Sequence, residues 1–264
     1  MATTVEELRN SLGQYYLAVN TGYKWYDYQQ NVIIPALEDV ERGEVTRLMI
    51  FLPPGHAKSD TATRSFIPFY LGRNPKNNAM VCSYAADLAS DDFGAKIKER
   101  MQSELHLKIF PDSRLTQDSR SKTHFTTVRG GNFYSVGYTG GITGKRLNII
   151  LLDDLIKNDE EADSETIQEA LFATYSNVIL DRLKPGGAIV MCMHRWRLRD
   201  LPGRVLEQEG RVEDGGDWHV INIPAEDPVT GKYLWEEHYG KKPYEHTKRN
   251  YPDTSDAKWQ QNPG

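Results

Sequence analysis

Two pairs of adjacent residues carry most of the legible chemistry: Lys58-Ser59, just after the apolar run RLMIFL (Arg47–Leu52), and Asp153-Asp154, closing the run LNIILLDD (Leu147–Asp154). A chain that leaves a strand through PPGHAKS and opens a helix with TATRSFIPFYL points successive backbone N–H groups at one spot, where the helix dipole also favours an anion. In such a loop Lys58 reaches the β- and γ-phosphates of a nucleotide, and the Ser59 hydroxyl ligates Mg2+. Gly55, His56, Ala57 and Asp60 complete the set of candidate ATP contacts. The match to G-x-x-x-x-G-K-[ST] is partial, because Leu52 and Ala57 occupy the two glycine positions. Gly55 then supplies the flexibility, while Pro53 and Pro54 stiffen the approach.

Asp153, ending a buried strand, is placed to hold a metal-bound water from across a sheet, and Asp154 to orient or deprotonate the attacking water. Aspartate is one methylene shorter than the glutamate many such ATPases carry there, so Glu160 and Glu161 are alternative carboxylates. About 95 residues separate Lys58 from Asp153, room for intervening β-α units. Upstream of the acidic pair, GYTGGITGKR brings Lys145 and Arg146. Arg146, from the same chain or a neighbour, is the candidate for stabilising transition-state charge at a γ-phosphate. Arg195 and His194 follow the run AIVMCM (Ala188–Met193) and are placed to sense phosphate and relay its loss. Trp196 beside them is a packing residue. WYDYQQ (Trp25–Gln30) offers aromatics to stack on adenine and an amide for its N6/N7 edge, Gln29 first and Gln30 second. Each feature also has a plain structural reading: a surface turn, a strand-end acid capping the next segment, a solvated cation, an amphipathic helix.

These groups need a scaffold that gathers strand ends. RLMIFL, NAMVCSY (Asn78–Tyr84), LNIILLDD and AIVMCM are nearly continuous apolar runs, and they alternate with helix-like segments such as Ala85–Leu105. That pattern predicts a parallel sheet buried on both faces, with ligands bound beyond the strand ends. HFTTV and NFYSVGY (His124–Tyr138), split by Arg129-Gly130-Gly131, predict a hairpin. Beyond about Leu206 the pattern weakens into a Gly- and Pro-rich tail.

The chain has 264 residues, 32 Lys+Arg against 37 Asp+Glu and a net charge of −5, which excludes a wholly basic, histone-like nucleic-acid binder. Charge is segregated: residues 93–148 hold ten Lys/Arg against four Asp/Glu, whereas residues 149–176 hold one against eight. The basic block is the candidate DNA-facing surface, with solvated helix faces as the plain reading. Cys82 and Cys192 lie in apolar runs and read as reduced core thiols of a cytosolic protein. No apolar stretch approaches the roughly 18 residues of a membrane span, and MATTVEELRN is no signal peptide.

In this order, YQQ…VERGEVTRLMIFLPPGHAKS, VCSYAADLA, GGNFYSVGYTGGITGKRLNIILLDDLIK, IVMCMHRWRLRDLPGRVL and DAKWQQNPG, the segments resemble the N-terminal ATPase domain of the large terminase subunit of tailed bacteriophages. The resemblance implies an α/β fold, a P-loop NTPase of the ASCE type with a mostly parallel central β-sheet flanked by helices. Residues 1–206 would form the ATPase core and 207–264 a small C-terminal lid or linker subdomain. It also implies an ATP- and Mg2+-dependent motor that moves double-stranded DNA into a procapsid through the portal protein. The implied partners are the small terminase subunit and further copies in a ring, in the host cell cytoplasm, with no membrane. Carried over by position, Gln29 matches the adenine-binding glutamine, Lys58 and Ser59 the Walker A pair, Asp153 the Walker B aspartate and Asp154 the catalytic carboxylate. Arg195 falls in the coupling motif, where His194 replaces the usual small hydroxyl residue. Large terminases also carry a C-terminal nuclease, and the sequence stops at Gly264; the expectation is either an excised ATPase domain, the favoured reading, or a protein that lacks the nuclease, without DNA cleavage by this polypeptide. A helicase-like ATPase of DNA repair, or a nucleotide-binding docking module with little turnover, are the competing readings.

Overall fold

The computed structural model describes residues 3–22, 26–138, 140–141, 144–237 and 241–264. Trp25, and Thr139, Ile142 and Thr143 of the glycine-rich loop, lie outside the described residues.

The apolar runs become the strands β1 (Arg47–Phe51), β2 (Ala79–Ser83), β5 (Leu147–Asp153) and β6 (Leu183–Met193). The predicted hairpin becomes β3 (His124–Thr126) and β4 (Asn132–Gly137), and a further strand, β7, spans His219–Asn222. All join one sheet in the order β3-β4-β2-β5-β6-β1-β7. Every neighbouring pair is parallel except β3 with β4. The parallel strands read as unbroken apolar runs because both faces are covered. Ile149, Leu151 and Val190 pack on one side with Leu37, Phe66 and Ile67. Ile150, Leu152 and Ile189 pack on the other with Leu171, Tyr175 and Trp218. Side-chain alternation along each strand also sends the two buried, unpaired thiols to opposite faces, Cys192 to the first and Cys82 to the second.

Strand order determines which loops can meet. β6 lies between β1 and β5, pairing Phe51 with Met193 on one side and Asp153 with Cys192 on the other. All three strands therefore end at one edge, as open α/β sheets require of a ligand site. The expected boundary after residue 206 falls inside the helix Leu201–Glu209, and β7 adds residues beyond it to the core sheet next to β1. The chain after β7 folds back over the same edge: Gln261 accepts the Arg195 N–H at 2.9 Å and Ala225 N–H donates to Trp259 O at 2.8 Å. Among the described residues no helix is long and apolar enough to cross a membrane.

Candidate active site

The loop after β1 shows why leucine stands where a glycine is usual. Leu52 is buried and its N–H still bonds Met193 O at 3.3 Å, so it extends the strand and the turn begins only after it. The left-handed conformations fall later, at Gly55 (φ 75°) and Ala57 (φ 55°). Glycine adopts this region freely, whereas at alanine it costs about 1 kcal/mol, strain of the kind concentrated at functional sites. The loop is then pinned by Thr61, whose backbone N–H and side-chain hydroxyl both bond Ala57 O, at 3.0 and 2.9 Å. Lys58 and Ser59 open the following helical segment, which runs through Asp60–Ser65 into Phe66–Arg73.

At the end of β5, successive side chains of an extended strand would face opposite sides of the sheet. Asp154 escapes this alternation by turning to φ 46°, held by its own N–H on Cys192 O (3.3 Å) and by Tyr84 N–H on its carbonyl (3.2 Å). Both carboxylates thereby reach the phosphate-loop residues. Asp153, fully buried, accepts from Ser59 Oγ at 2.8 Å and from the Thr63 hydroxyl. Asp154 takes two hydrogen bonds from Lys58 Nζ, at 2.9 and 2.8 Å. Burial by itself would depress the Lys58 ammonium, but the Asp154 and Asp153 carboxylates overcome it and raise its pKa. Burial likewise works against ionised Asp154, and Lys58 overrides it to bring that carboxyl below its ordinary value. Asp153 goes the other way: burial raises it, Lys58 opposes only in part, and the neighbouring Asp154 charge adds to the rise. Two carboxylates thus share one buried ammonium.

Of the other candidates, Gln29 is fully buried and donates from Nε2 to Thr61 Oγ1 at 2.9 Å, while its Oε1 is buried with no hydrogen-bond partner. Gln30 is exposed. His56 is buried in the loop, its Nδ1 2.9 Å from Pro54 O and its ring edge-on to Trp235 and Trp259. Its carbonyl accepts from Tyr28 at 3.2 Å, and Tyr28 stacks with Tyr26. His194 has its Nδ1 3.6 Å from Asp154 Oδ1, beyond hydrogen-bond distance.

Five expected residues are placed elsewhere. Asp60 accepts from Tyr16 at 3.2 Å and lines a separate cavity with Arg64 and Arg100. Arg195 is buried, but its guanidinium is held by Asp200 at 3.0–3.1 Å and by the carbonyls of Arg197 and Leu198. Glu160 is exposed on the helix Asp159–Asp163, and Glu161 accepts Lys157 N–H at the start of that helix. Arg146 precedes β5 and donates to Asp181 O at 3.1 Å. At about 3.3 Å per residue it lies roughly 20 Å of strand away from Asp153, so it does not reach the site of its own chain. Thr61 and Thr63 join the site without having been expected there. Their signal is helical spacing, since Thr63 is four residues from Ser59 and shares its helix face.

Residues 49–177 match the family described as terminase large subunit, T4likevirus-type, N-terminal. No curated protein matches the chain. Among solved structures, the Thermus phage P74-26 large terminase ATPase domain is 16% identical, with a TM-score of 0.62 over 94% of this chain and 97% of that one. A mutant of the same domain is 15% identical, with a TM-score of 0.57 over 85% and 93%. The large terminase of the thermophilic bacteriophage D6E is 11% identical with a TM-score of 0.50, over 93% of this chain but only 52% of that one. The loop after β1 and the acidic end of β5 both lie inside the segment that matches the terminase large-subunit N-terminal family, and the fold around them is that of phage large-terminase ATPase domains.

Proposed function

We propose that this domain hydrolyses ATP with Mg2+ and that hydrolysis drives double-stranded DNA into a procapsid. The observation that carries the reading is the cluster itself: Lys58, Ser59, Asp153 and Asp154, from two segments far apart in sequence, meet through hydrogen bonds of 2.8–2.9 Å. The donor set suits magnesium. Ser59 and Asp153 offer hard oxygen ligands, the buried Asp153 lacks a cation of its own, and Mg2+ characteristically takes one or two protein oxygens plus substrate phosphates and water. When bound, the metal neutralises charge on the β- and γ-phosphates. Gln29 Oε1, buried without a partner, suits the N6 amine of adenine, and Tyr26 and Tyr28 lie on the neighbouring turn. Lys58 and the backbone N–H groups after Gly55 hold the phosphates, and Asp154 orients the water for in-line attack. Glu160 and Glu161 are less suited, being away from Lys58.

Arg146, at the opposite edge of the sheet, serves a neighbouring subunit of a ring. Arg195 acts through its Asp200 anchor on the loop after β6. The DNA surface is the basic face beside β3 and β4, where Arg120 and Lys122 are exposed and Lys98 is half-buried. The portal protein and the small terminase subunit complete the assembly, transiently on the procapsid in the host cytoplasm.

The test is steady-state hydrolysis with DNA and portal present. Lys58→Ala abolishes turnover, Asp154→Asn keeps nucleotide binding while blocking turnover, and Arg146→Ala protein mixed into wild type poisons the assembly. Wild-type rates in Lys58→Ala would overturn the site. Full activity in Asp154→Asn would move the base to Glu160 or Glu161.

A further inference from the structure

We propose that His194 is a positioning residue for the catalytic carboxylate, receiving Asp154 from Lys58 when nucleotide phosphates draw Lys58 away. The inference rests on the reading of Asp154 as the carboxylate that orients the attacking water.

Lys58 supplies both hydrogen bonds that the Asp154 carboxylate accepts here. A triphosphate competing for that ammonium leaves a largely enclosed anion without its counter-charge, a costly arrangement unless another donor takes over. The backbone of Asp154 is unable to swing to find one, because its N–H and C=O are both bonded to neighbouring strand ends. Only the short side chain moves, and aspartate sweeps a small arc. On that arc stands His194 Nδ1, 3.6 Å from Oδ1 and buried with no hydrogen-bond partner.

The imidazole is itself held in place. Its ring packs on Trp196 at 4.7 Å between centroids, and Lys258 Nζ lies over that indole at 3.8 Å. A neutral imidazole with its proton on Nδ1 donates to a carboxylate without adding charge to the site. Asp154 sits on Lys58, and a small rotation of its side chain would bring Oδ1 from 3.6 Å to hydrogen-bond distance of His194 Nδ1. A side chain restricted to these two seats reports directly whether Lys58 is on phosphate, and it is aimed by histidine only when phosphate is present.

Three substitutions separate this role from space filling. His194→Ala removes ring and donor, His194→Phe keeps the stacked ring, and His194→Asn keeps a donor near the position of Nδ1. With DNA and portal present, His194→Ala and His194→Phe lower kcat by roughly 10- to 100-fold, part of what positioned acid–base groups contribute. Affinity for a fluorescent ATP analogue changes about twofold or less, and His194→Asn recovers most of kcat. In a crystal of the wild-type domain with ATPγS, Asp154 moves to about 3 Å from Nδ1 and Lys58 turns to the phosphates. Wild-type turnover in His194→Phe, or equal rescue by Phe and Asn, overturns the proposal. So does an ATPγS-bound structure with Asp154 still on Lys58. The reading of the site fails separately, by wild-type rates in Lys58→Ala.

Discussion

Two buried polar clusters in this molecule are built to opposite rules. Between the N-terminal helices and the helix Glu104–Ile109, Tyr15, His106 and Ser113 are fully enclosed and form one chain of hydrogen bonds. Ser113 donates to Phe110 O at 2.8 Å, so its oxygen accepts from His106 Nε2 at 2.9 Å, and His106 Nδ1 accepts from Tyr15 O–H at 2.8 Å. One tautomer satisfies every group, and no charge is buried. At the sheet edge, by contrast, one ammonium serves two carboxylates, while Gln29 Oε1 and His194 Nδ1 are left without partners. A satisfied neutral network specifies packing, whereas an overcharged, partly unpaired one is stable only in the company of something else. The contrast marks the second cluster as the working one without reference to any motif.

The largest expected effect is a split between activity and stability at Asp153. Asp153→Asn lowers turnover by about 1000-fold, corresponding to the several kcal/mol a metal supplies to charge stabilisation. The nucleotide-free variant melts no lower than wild type, because the surplus buried charge is gone while Ser59 and Thr63 keep an acceptor. Melting curves and hydrolysis rates on the same protein check this, and a clear drop in Tm would contradict the overcharged picture.

His106→Ala shows the converse. It costs about 3 kcal/mol of stability, from the cavity and the unpaired Tyr15 hydroxyl, and leaves turnover of the folded protein unchanged.

The two clusters also bend the pH profile in opposite directions. Burial pushes the His106 imidazole down to about 3, so between pH 6.5 and that value the unfolded chain binds a proton the native state refuses. Stability then falls as pH falls, by up to about 1.4 kcal/mol per unit. The Asp153 carboxyl, raised to about 6 chiefly by burial, makes the native state the better proton binder. Its contribution is present at low pH and lost as pH rises through that value. Tm measured against pH for wild type, His106→Gln and Asp153→Asn gives difference curves of opposite slope; curves of the same sign would remove the distinction.

The smallest effect concerns strain. Ala57→Gly relieves the left-handed alanine, raising stability by about 0.5–1 kcal/mol with activity retained, whereas an unchanged or lower Tm would show the loop already accommodates the methyl group.

Much of the architecture is legible in residue order alone. Apolar runs mark the interior strands, because parallel strands covered on both faces need no alternation. The Lys-Ser and Asp-Asp pairs at their ends mark the site. What stays illegible is anything set by which strand lies beside which. β7 is hidden in a polar stretch because an edge strand buries little. Arg146 reads as near the acidic pair by sequence, yet the intervening strand carries it to the far edge. Gln29 and Gln30 are indistinguishable in composition, and only helix phase buries one and exposes the other.

The sequence by itself determined the chemistry on offer: a phosphate loop, an acidic strand end, and the order of elements between them, all local patterns of residue type and spacing. Tertiary structure alone decided that β6 would slide between β1 and β5, setting His194 beside Asp154, and that Asp154 would turn out of strand geometry to meet Lys58. Those outcomes follow from long-range strand pairing and from burial, which no short window of sequence encodes.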